Sequence, residues 1–225
     1  MTAQTLGRAT TYTALLLSGG LDSAALAAWT RPTVTLFVDY GQRPASAERR
    51  ASAAIARELH LPHEELRIDA GAVGGGLLSN DGEPLAGSPS PEWWPFRNQL
   101  LVTLAAAWVV RSACVGATPS GVLSADSTST WTVITGSVRE DGVRHRDGTQ
   151  EFYKAMDGLL SIQEGSIRAQ APALKLTTVE LIGASSVTDE VLGWTHSCQT
   201  SNHPCLECPG CWKRESVLRD LGRLQ

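Results

Sequence analysis

The sequence predicts an α/β fold, a parallel sheet with flanking helices, followed by a C-terminal segment that carries a cysteine cluster. Three observations point to it. From the N-terminus, strand-like and helix-like runs alternate as strand, helix, strand, helix, strand, the order produced by a parallel sheet with right-handed crossovers. The first two strand-like runs each end in a polar cluster, Ser18–Ser23 and Asp39–Arg43, where ligands of such sheets collect. The 225 residues, 42% of them hydrophobic, suffice for one α/β domain with an appendage or for two small domains. The predicted division is 10–175 for the α/β domain and 176–225 for a helical segment holding the cysteines.

The first strand is the apolar run Thr13–Leu17, and Ala24–Trp29 reads as the helix after it. Val34–Val38 is the second strand. Ala47, Ala51, Ala54, Ile55 and Leu59 then recur at helical spacing, which leaves Glu48, Arg49, Arg50 and Arg57 for solvent or ligand. Glu64–Ile68 alternates as a third strand does. Residues 71–91, rich in Gly, Pro and Ser, are a loop, either a lid over a ligand site or a passive surface excursion. Pro95-Phe96-Arg97-Asn98 opens an apolar helix over Gln99–Val110. An irregular stretch over 116–130 leads to the strand Trp131–Thr135 and Gly136. After polar residues 137–150 a helix begins near Glu151, Ile167–Ala171 is a short strand ended by Pro172, and Leu176–Ile182 starts a helix. No internal repeat is present.

The most informative segment is Ser18-Gly19-Gly20-Leu21-Asp22-Ser23, between the first strand and its helix. A strand, a small polar turn and a helix N-terminus aim several backbone N–H groups at one point, and the helix dipole favours negative charge there. Gly19 and Gly20 permit close backbone approach, and Ser18 and Ser23 add hydroxyls. An ordinary turn with a helix cap has a similar composition. The pattern S-G-G-x-D-S nevertheless resembles the signature of the PP-loop ATP pyrophosphatases, which cleave ATP to AMP and pyrophosphate. The unrelated phosphate motif G-x-x-x-x-G-K-[ST] has no match in the chain.

A net charge of −4 and a pI near 5.7 argue against strong binding to nucleic acid, and so against a tRNA-modifying role. Sixteen arginines stand against three lysines (Lys154, Lys175, Lys213), which fits an Arg-rich anion pocket or simply a GC-rich genome. No apolar run approaches a membrane span and no signal-type apolar stretch follows Met1, so the cytoplasm is the expected address.

In that compartment the five cysteines are not read as disulfides. Cys198, Cys205, Cys208 and Cys211 form C-x6-C-x2-C-x2-C, with Pro204, Pro209 and Gly210 making tight turns between them. Four thiolates make a closed tetrahedral zinc site; a [4Fe–4S] cluster is the competing occupant. His196 and His203 are expected at the surface or behind the ligands, and Cys114 as a small buried hydrophobe.

S-G-G-L-D-S, D-Y-G-Q-R, P-F-R-N, T-G and the cysteine run followed by Arg214 occur in that order from about residue 13 to residue 219. Together they resemble the 7-cyano-7-deazaguanine synthase (QueC) family. The resemblance implies an adenine nucleotide alpha hydrolase-like, Rossmann-like fold with a C-terminal zinc-binding subdomain. It also implies adenylation of 7-carboxy-7-deazaguanine by ATP with Mg2+, displacement of AMP by ammonia to give the amide, and a second ATP-driven step to the nitrile. ATP is expected at Leu17, Ser18, Gly19, Gly20, Leu21, Asp22, Ser23, Asp39 and Gly136. The deazapurine carboxylate is expected at Tyr40, Gln42, Arg43, Arg97, Asn98, Asp141 and Asp147, and structural Zn2+ at Cys198, Cys205, Cys208 and Cys211. A homodimer is compatible with this reading.

Several roles have a plainer alternative. Asp22 holds magnesium or caps its helix; Arg97 and Asn98 bind an anion or cap theirs. Tyr40 stacks on a purine or simply packs, and Asp147 accepts from a guanine-like edge or is a solvated loop residue. The chain also departs from the family pattern. Where relatives carry D-[FY]-S-G-Y-P-D-C-R, this chain has Asp141-Gly142-Val143-Arg144-His145-Arg146-Asp147-Gly148-Thr149, keeping both aspartates and losing the rest. The family's lysine two residues before a glutamate is here Thr178, before Glu180, with Lys175 nearby. The expected activity is therefore adenylation with inefficient passage to the nitrile. The alternative is a divergent relative that transfers the activated group to a protein amine, as in an antiphage defence system. A tRNA-modifying PP-loop protein, disfavoured by the charge, is the third class, and a non-catalytic nucleotide-binding scaffold the fourth.

Overall fold

A computed structural model describes residues 11–115 and 130–223. Five strands form one parallel sheet: β1 (Thr11–Leu16), β2 (Val34–Asp39), β3 (His63–Arg67), β4 (Thr130–Ile134) and β5 (Arg168–Gln170), in the order β3-β2-β1-β4-β5. The chain builds outward from β1 to β3 and then returns to pair β4 with β1, Ala14 opposite Val133. The strand order thus reverses between β1 and β4, which opens a crevice at their carboxyl ends.

Strand alternation supplies the two faces of the core. Ala14, Val34, Leu36, Val38 and Val133 pack with α3 (Arg97–Val115) and α5 (Gln150–Ser161) on one face. Leu15, Leu17 and Ile134 pack on the other face with α1 (Leu21–Thr30), α2 (Ala45–Glu58) and three later helices. These are α6 (Thr178–Ser185), α7 (Asp189–Gly193) and α8 (Pro209–Asp220). Leu181, Ile182, Val217 and Leu218 therefore share one apolar cluster with Leu26 of α1. A short helix, α4 (Arg139–Arg144), and a 3-10 turn over Arg146–Gly148 lie within the stretch expected to be only polar connection.

Two expectations change. The loop over 71–91 contains 3-10 turns at Gly71–Val73 and Gly76–Leu78 and is anchored inward by Leu78, which is buried, and by Leu77 N–H donating to the Pro91 carbonyl at 2.8 Å. Cys114, expected in the core, is exposed. The buried stripe of α3 runs through Val102, Ala105, Ala106, Val109 and Ser112, and Cys114 falls off that stripe. The irregular stretch expected over 116–130 lies, up to residue 129, outside the described residues.

Candidate active site

A cavity of about 320 Å3 lies at the carboxyl ends of β1, β2 and β4. Its floor is the segment after β1. Gly19, at φ +86°, turns the chain sharply and packs so closely on α2 that a Cβ there would stand 2.7 Å from Ala51 Cβ. Gly20 is the N-cap of α1 and no side chain caps it, so the first amides of the helix face the cavity. By contrast α5, α6 and α7 are capped by Thr149, Thr177 and Thr188. The Ser18 and Ser23 hydroxyls sit 3.2 Å apart, and Ser23 Oγ donates to the Gly20 carbonyl at 3.1 Å. From the other side of the crevice comes Gly136, just past β4. A Cβ there would stand 3.0 Å from Ser23 N, so β4 reaches the loop only because this residue has no side chain. Leu17, Ser18, Gly20, Leu21, Asp22, Ser23 and Gly136 line the cavity, whereas Gly19 supports the loop from behind.

Asp22 is not the helix cap. It lies in the first turn of α1, one oxygen 2.8 Å from Lys213 Nζ and the other buried without a partner among the described residues. Lys213 also faces Asp141. Burial alone would lower its pKa, but Asp22 and Asp141 hold it above the usual lysine value. Asp141 is pushed up, chiefly by burial and also by Asp22, against Lys213 and the Val138 amide at 3.0 Å. Two close carboxylates, one with an orphaned oxygen, fit the sparse protein ligation of Mg2+ on a nucleotide.

The turn after β2 builds a second wall. Gln42 is buried, and its side-chain amide is fully engaged within the chain: Oε1 accepts from Tyr40 N–H at 2.8 Å, and Nε2 donates to the Val38 carbonyl at 3.2 Å and to Glu48 Oε2 at 2.8 Å. Gln42 thereby shapes the turn and orients Glu48, whose carboxyl burial raises to about 7. Tyr40 packs edge-on to Trp94, with ring centroids 4.9 Å apart, and faces Arg97. Arg97, from the first turn of α3, is surrounded by Tyr40, Asp147, Asp141 and Glu48. Burial opposes its charge, but these neighbours keep its pKa raised. Among the described residues no carboxylate pairs with it directly, so its planar fork is open to a ligand carboxylate or phosphate.

Besides Gly19, three expected site residues stand outside the cavity wall. Asp147 acts on Asn98: its Oδ2 accepts the Asn98 backbone N–H at 3.3 Å and its carbonyl accepts Asn98 Nδ2 at 2.9 Å, which fixes the start of α3. Asp39 accepts from Gly41 N–H at 3.1 Å and pairs with Arg67 at 3.7 Å. Arg43 is exposed, its guanidinium packed against Gly82 of the long loop.

The four cysteine sulfurs all lie within 4.8 Å of one another, and Cys205 and Cys211 sulfurs are 3.9 Å apart. Metal–sulfur bonds of about 2.3 Å in a tetrahedron require sulfur separations of about 3.8 Å, so the set fits a metal such as zinc. Backbone amides of Cys208, Cys211 and Gln199 point at the sulfurs from 3.3, 3.5 and 3.4 Å. Cys208 is also the N-cap of α8, and a Cβ on Gly210 would collide with the Ser197 carbonyl. The cluster thus presses the start of α8 against residues 197–199, and both segments line the cavity. His196 joins them, its N–H donating to the Gly19 carbonyl at 2.9 Å, while His203 is exposed.

The sequence reading overlooked Lys213, Glu92, Arg144 and His145, all in the cavity wall. Lys213 carries one signal, its place two residues after the last cysteine. Lys175, by contrast, is exposed and does not line the cavity, and Thr178 is buried at the start of α6.

The sequence model of the family described as queuosine biosynthesis protein QueC matches residues 13–222. A 7-cyano-7-deazaguanine synthase of Methanothermobacter thermautotrophicus is 29% identical over 213 residues, covering 92% of this chain and 94% of the relative. Proteins of the same name from Pseudomonas paraeruginosa and from Synechococcus sp. strain RCC307 are each 27% identical, covering 92% and 94% of this chain and 93% and 96% of the relatives. Among the described residues no helix is long and apolar enough to cross a membrane.

Proposed function

The chain belongs to the QueC family, and from that premise we propose that it is an ATP-dependent adenylating ligase of the PP-loop type. It activates the carboxylate of 7-carboxy-7-deazaguanine, or a close analogue, as its AMP ester for attack by ammonia or an amine, releasing AMP and pyrophosphate. The observation that carries this reading is one cavity in which the uncapped start of α1 and Lys213 face the unpaired guanidinium of Arg97.

In this reading the amides of Leu21, Asp22 and Ser23, the serine hydroxyls and Lys213 neutralise charge on the departing pyrophosphate, with no proton transfer required. Arg97 and Asn98 hold the carboxylate in line with the α-phosphate, where proximity supplies much of the acceleration. Asp22 and Asp141 would hold Mg2+, which screens the phosphate oxygens. Cys198, Cys205, Cys208 and Cys211 would hold structural Zn2+, which keeps Lys213 in the wall. Cytoplasmic location and a homodimer belong to the same proposal.

A second reading, transfer of the activated group to a protein amine, is favoured by one observation. Arg144 and His145, from the segment where the chain departs from the family pattern, stand in the cavity wall.

One assay tests both. Enzyme, ATP, Mg2+, the acid and ammonia are incubated, and pyrophosphate and products are followed, the latter by mass. Pyrophosphate release that depends on the acid is expected, with adenylate or amide accumulating ahead of nitrile. Absence of acid-dependent pyrophosphate overturns the ligase reading. Nitrile formed as fast as acid is consumed restores the ordinary synthase course.

A further inference from the structure

We propose that Glu48 selects the base of the substrate, its open carboxylate oxygen accepting the ring N–H and amino donors of a guanine-type edge next to the carboxylate that Arg97 holds. The inference rests on the ligase reading above and deepens it, from the carboxylate to the ring that carries it.

Four acidic side chains line the cavity among the described residues: Asp22, Glu48, Glu92 and Asp141. Three are already committed. Asp22 pairs with Lys213, Glu92 pairs with Arg144, and Asp141 accepts the Val138 amide and faces Lys213. Glu48 pairs with no cation among the described residues. Its Oε2 accepts one hydrogen bond, from the neutral Gln42 amide at 2.8 Å. Its Oε1 has no partner among the described residues, and unlike Asp22 Oδ1 and Glu92 Oε2 it is not sealed in by its neighbours.

The chain holds this carboxylate in place. Glu48 stands in the first turn of α2, its N–H donating to the Pro44 carbonyl at 2.9 Å. The Ala47 N–H donates to Asn202 Oδ1 at 2.8 Å, and the Glu48 carbonyl oxygen is 3.0 Å from where a Cβ on Gly19 would lie. Gln42 is itself fixed by the Val38 carbonyl and the Tyr40 amide, so the group that orients Glu48 does not move freely either. A carboxylate set this way is organised before any ligand arrives.

Arg97 decides what kind of donor fits. It is close enough to Glu48 for each to shift the other's pKa, yet the two form no direct ion pair. A cation bound at Glu48 would be opposed by the guanidinium, so the place suits neutral N–H donors. The polar edge of 7-carboxy-7-deazaguanine runs in the matching order. Its carboxylate and ring carbonyl are acceptors, and the ring N–H and exocyclic amino group beside them are donors. The acceptor half faces Arg97 and the donor half faces Glu48. Two parallel donors match the two oxygens of a carboxylate, since Oε2 keeps a lone pair beyond the one that Gln42 uses. Burial, partly offset by the Gln42 hydrogen bond and Arg97, raises the Glu48 pKa to about 7, and donors from a ligand favour its charged form.

The test pairs one change in the substrate with one in the protein. Wild-type enzyme should prefer 7-carboxy-7-deazaguanine by about 30-fold in kcat/KM over the analogue that lacks only the amino group. In Glu48→Gln, the Gln42 amide claims the new side-chain oxygen and turns the NH2 group towards the cavity, donor against donor. The preference should then shrink to a few-fold, with a loss of about 100-fold on the parent acid. The KM for ATP should stay within a few-fold, which also shows that the variant folds. Wild-type enzyme that uses both acids equally overturns the assignment without any variant. Equal losses on both acids, or a raised KM for ATP with the preference intact, overturn the Glu48 assignment alone. A wild-type enzyme that makes no acid-dependent pyrophosphate overturns it together with the ligase reading.

Discussion

Lys213 Nζ lies 2.8 Å from Asp22 Oδ2, a contact between the first turn of α1 and the start of α8 that spans 191 residues of chain. One end belongs to the phosphate-type loop and the other to the helix that the cysteines position. The carboxyl end of the central strand β1 and the cysteine module are thereby joined at the point where pyrophosphate would leave.

Lys213→Met should reduce acid-dependent pyrophosphate release by about 100-fold, the scale of losing one preorganised charge-stabilising donor. Asp22→Ala combined with Ser23→Ala should suppress it as strongly. Release at the original rate in that double variant would remove the loop from the chemistry.

Metal analysis of untagged protein should find zinc near one equivalent per chain, with no visible absorbance of an iron–sulfur cluster. Cys208→Ser removes both a ligand and the N-cap of α8. A lower melting temperature is expected, along with a higher KM for ATP, because the wall bearing Lys213 loosens with the cluster. Retained stability with bound iron and sulfide would replace the zinc assignment.

His63 gives the fold an acid-sensitive point away from the cavity. Burial, partly offset by Glu64, lowers its pKa from 6.5 to about 4, and its Nδ1 lies 2.9 Å from Thr35 Oγ1. Above pH 6.5 the ring is neutral folded or unfolded and costs nothing. As pH falls from 6.5 towards 4 the unfolded chain takes up a proton that the folded chain refuses, so stability drops, by up to about 3 kcal/mol across the window. Melting temperature should fall over that range, and His63→Gln should flatten the decline. An identical slope in the variant would assign the acid sensitivity elsewhere.

Much of this architecture is legible in the chain. Apolar runs place β1, β2 and β4 within a residue or two, since a strand buried on both faces has few other ways to be written, and alternation places the half-exposed β3. The loop glycines and serines also announce themselves, because a sharp turn onto a helix start tolerates few other side chains. What stays hidden is which partner a polar or apolar side chain takes in the packed fold. Gln42 reads as a ligand-binding residue, but all three of its hydrogen bonds stay within the chain. Asp147 reads as a deazapurine contact and instead braces Asn98. Cys114 reads as core because its helix is apolar on most sides, and only the packing of α3 shows which side faces out.

By itself the sequence determined the α/β class, the anion-ready loop at Ser18–Ser23 and the four-cysteine set, because each is a local pattern whose physics acts over a few residues. Tertiary structure alone decided that β4 returns to β1, that Gly136 closes on Ser23, that Lys213 meets Asp22 and that Glu92 meets Arg144. Those contacts depend on how the elements pack in space, and segments 52 or 191 residues apart carry no local trace of which partner the closed fold will bring to them.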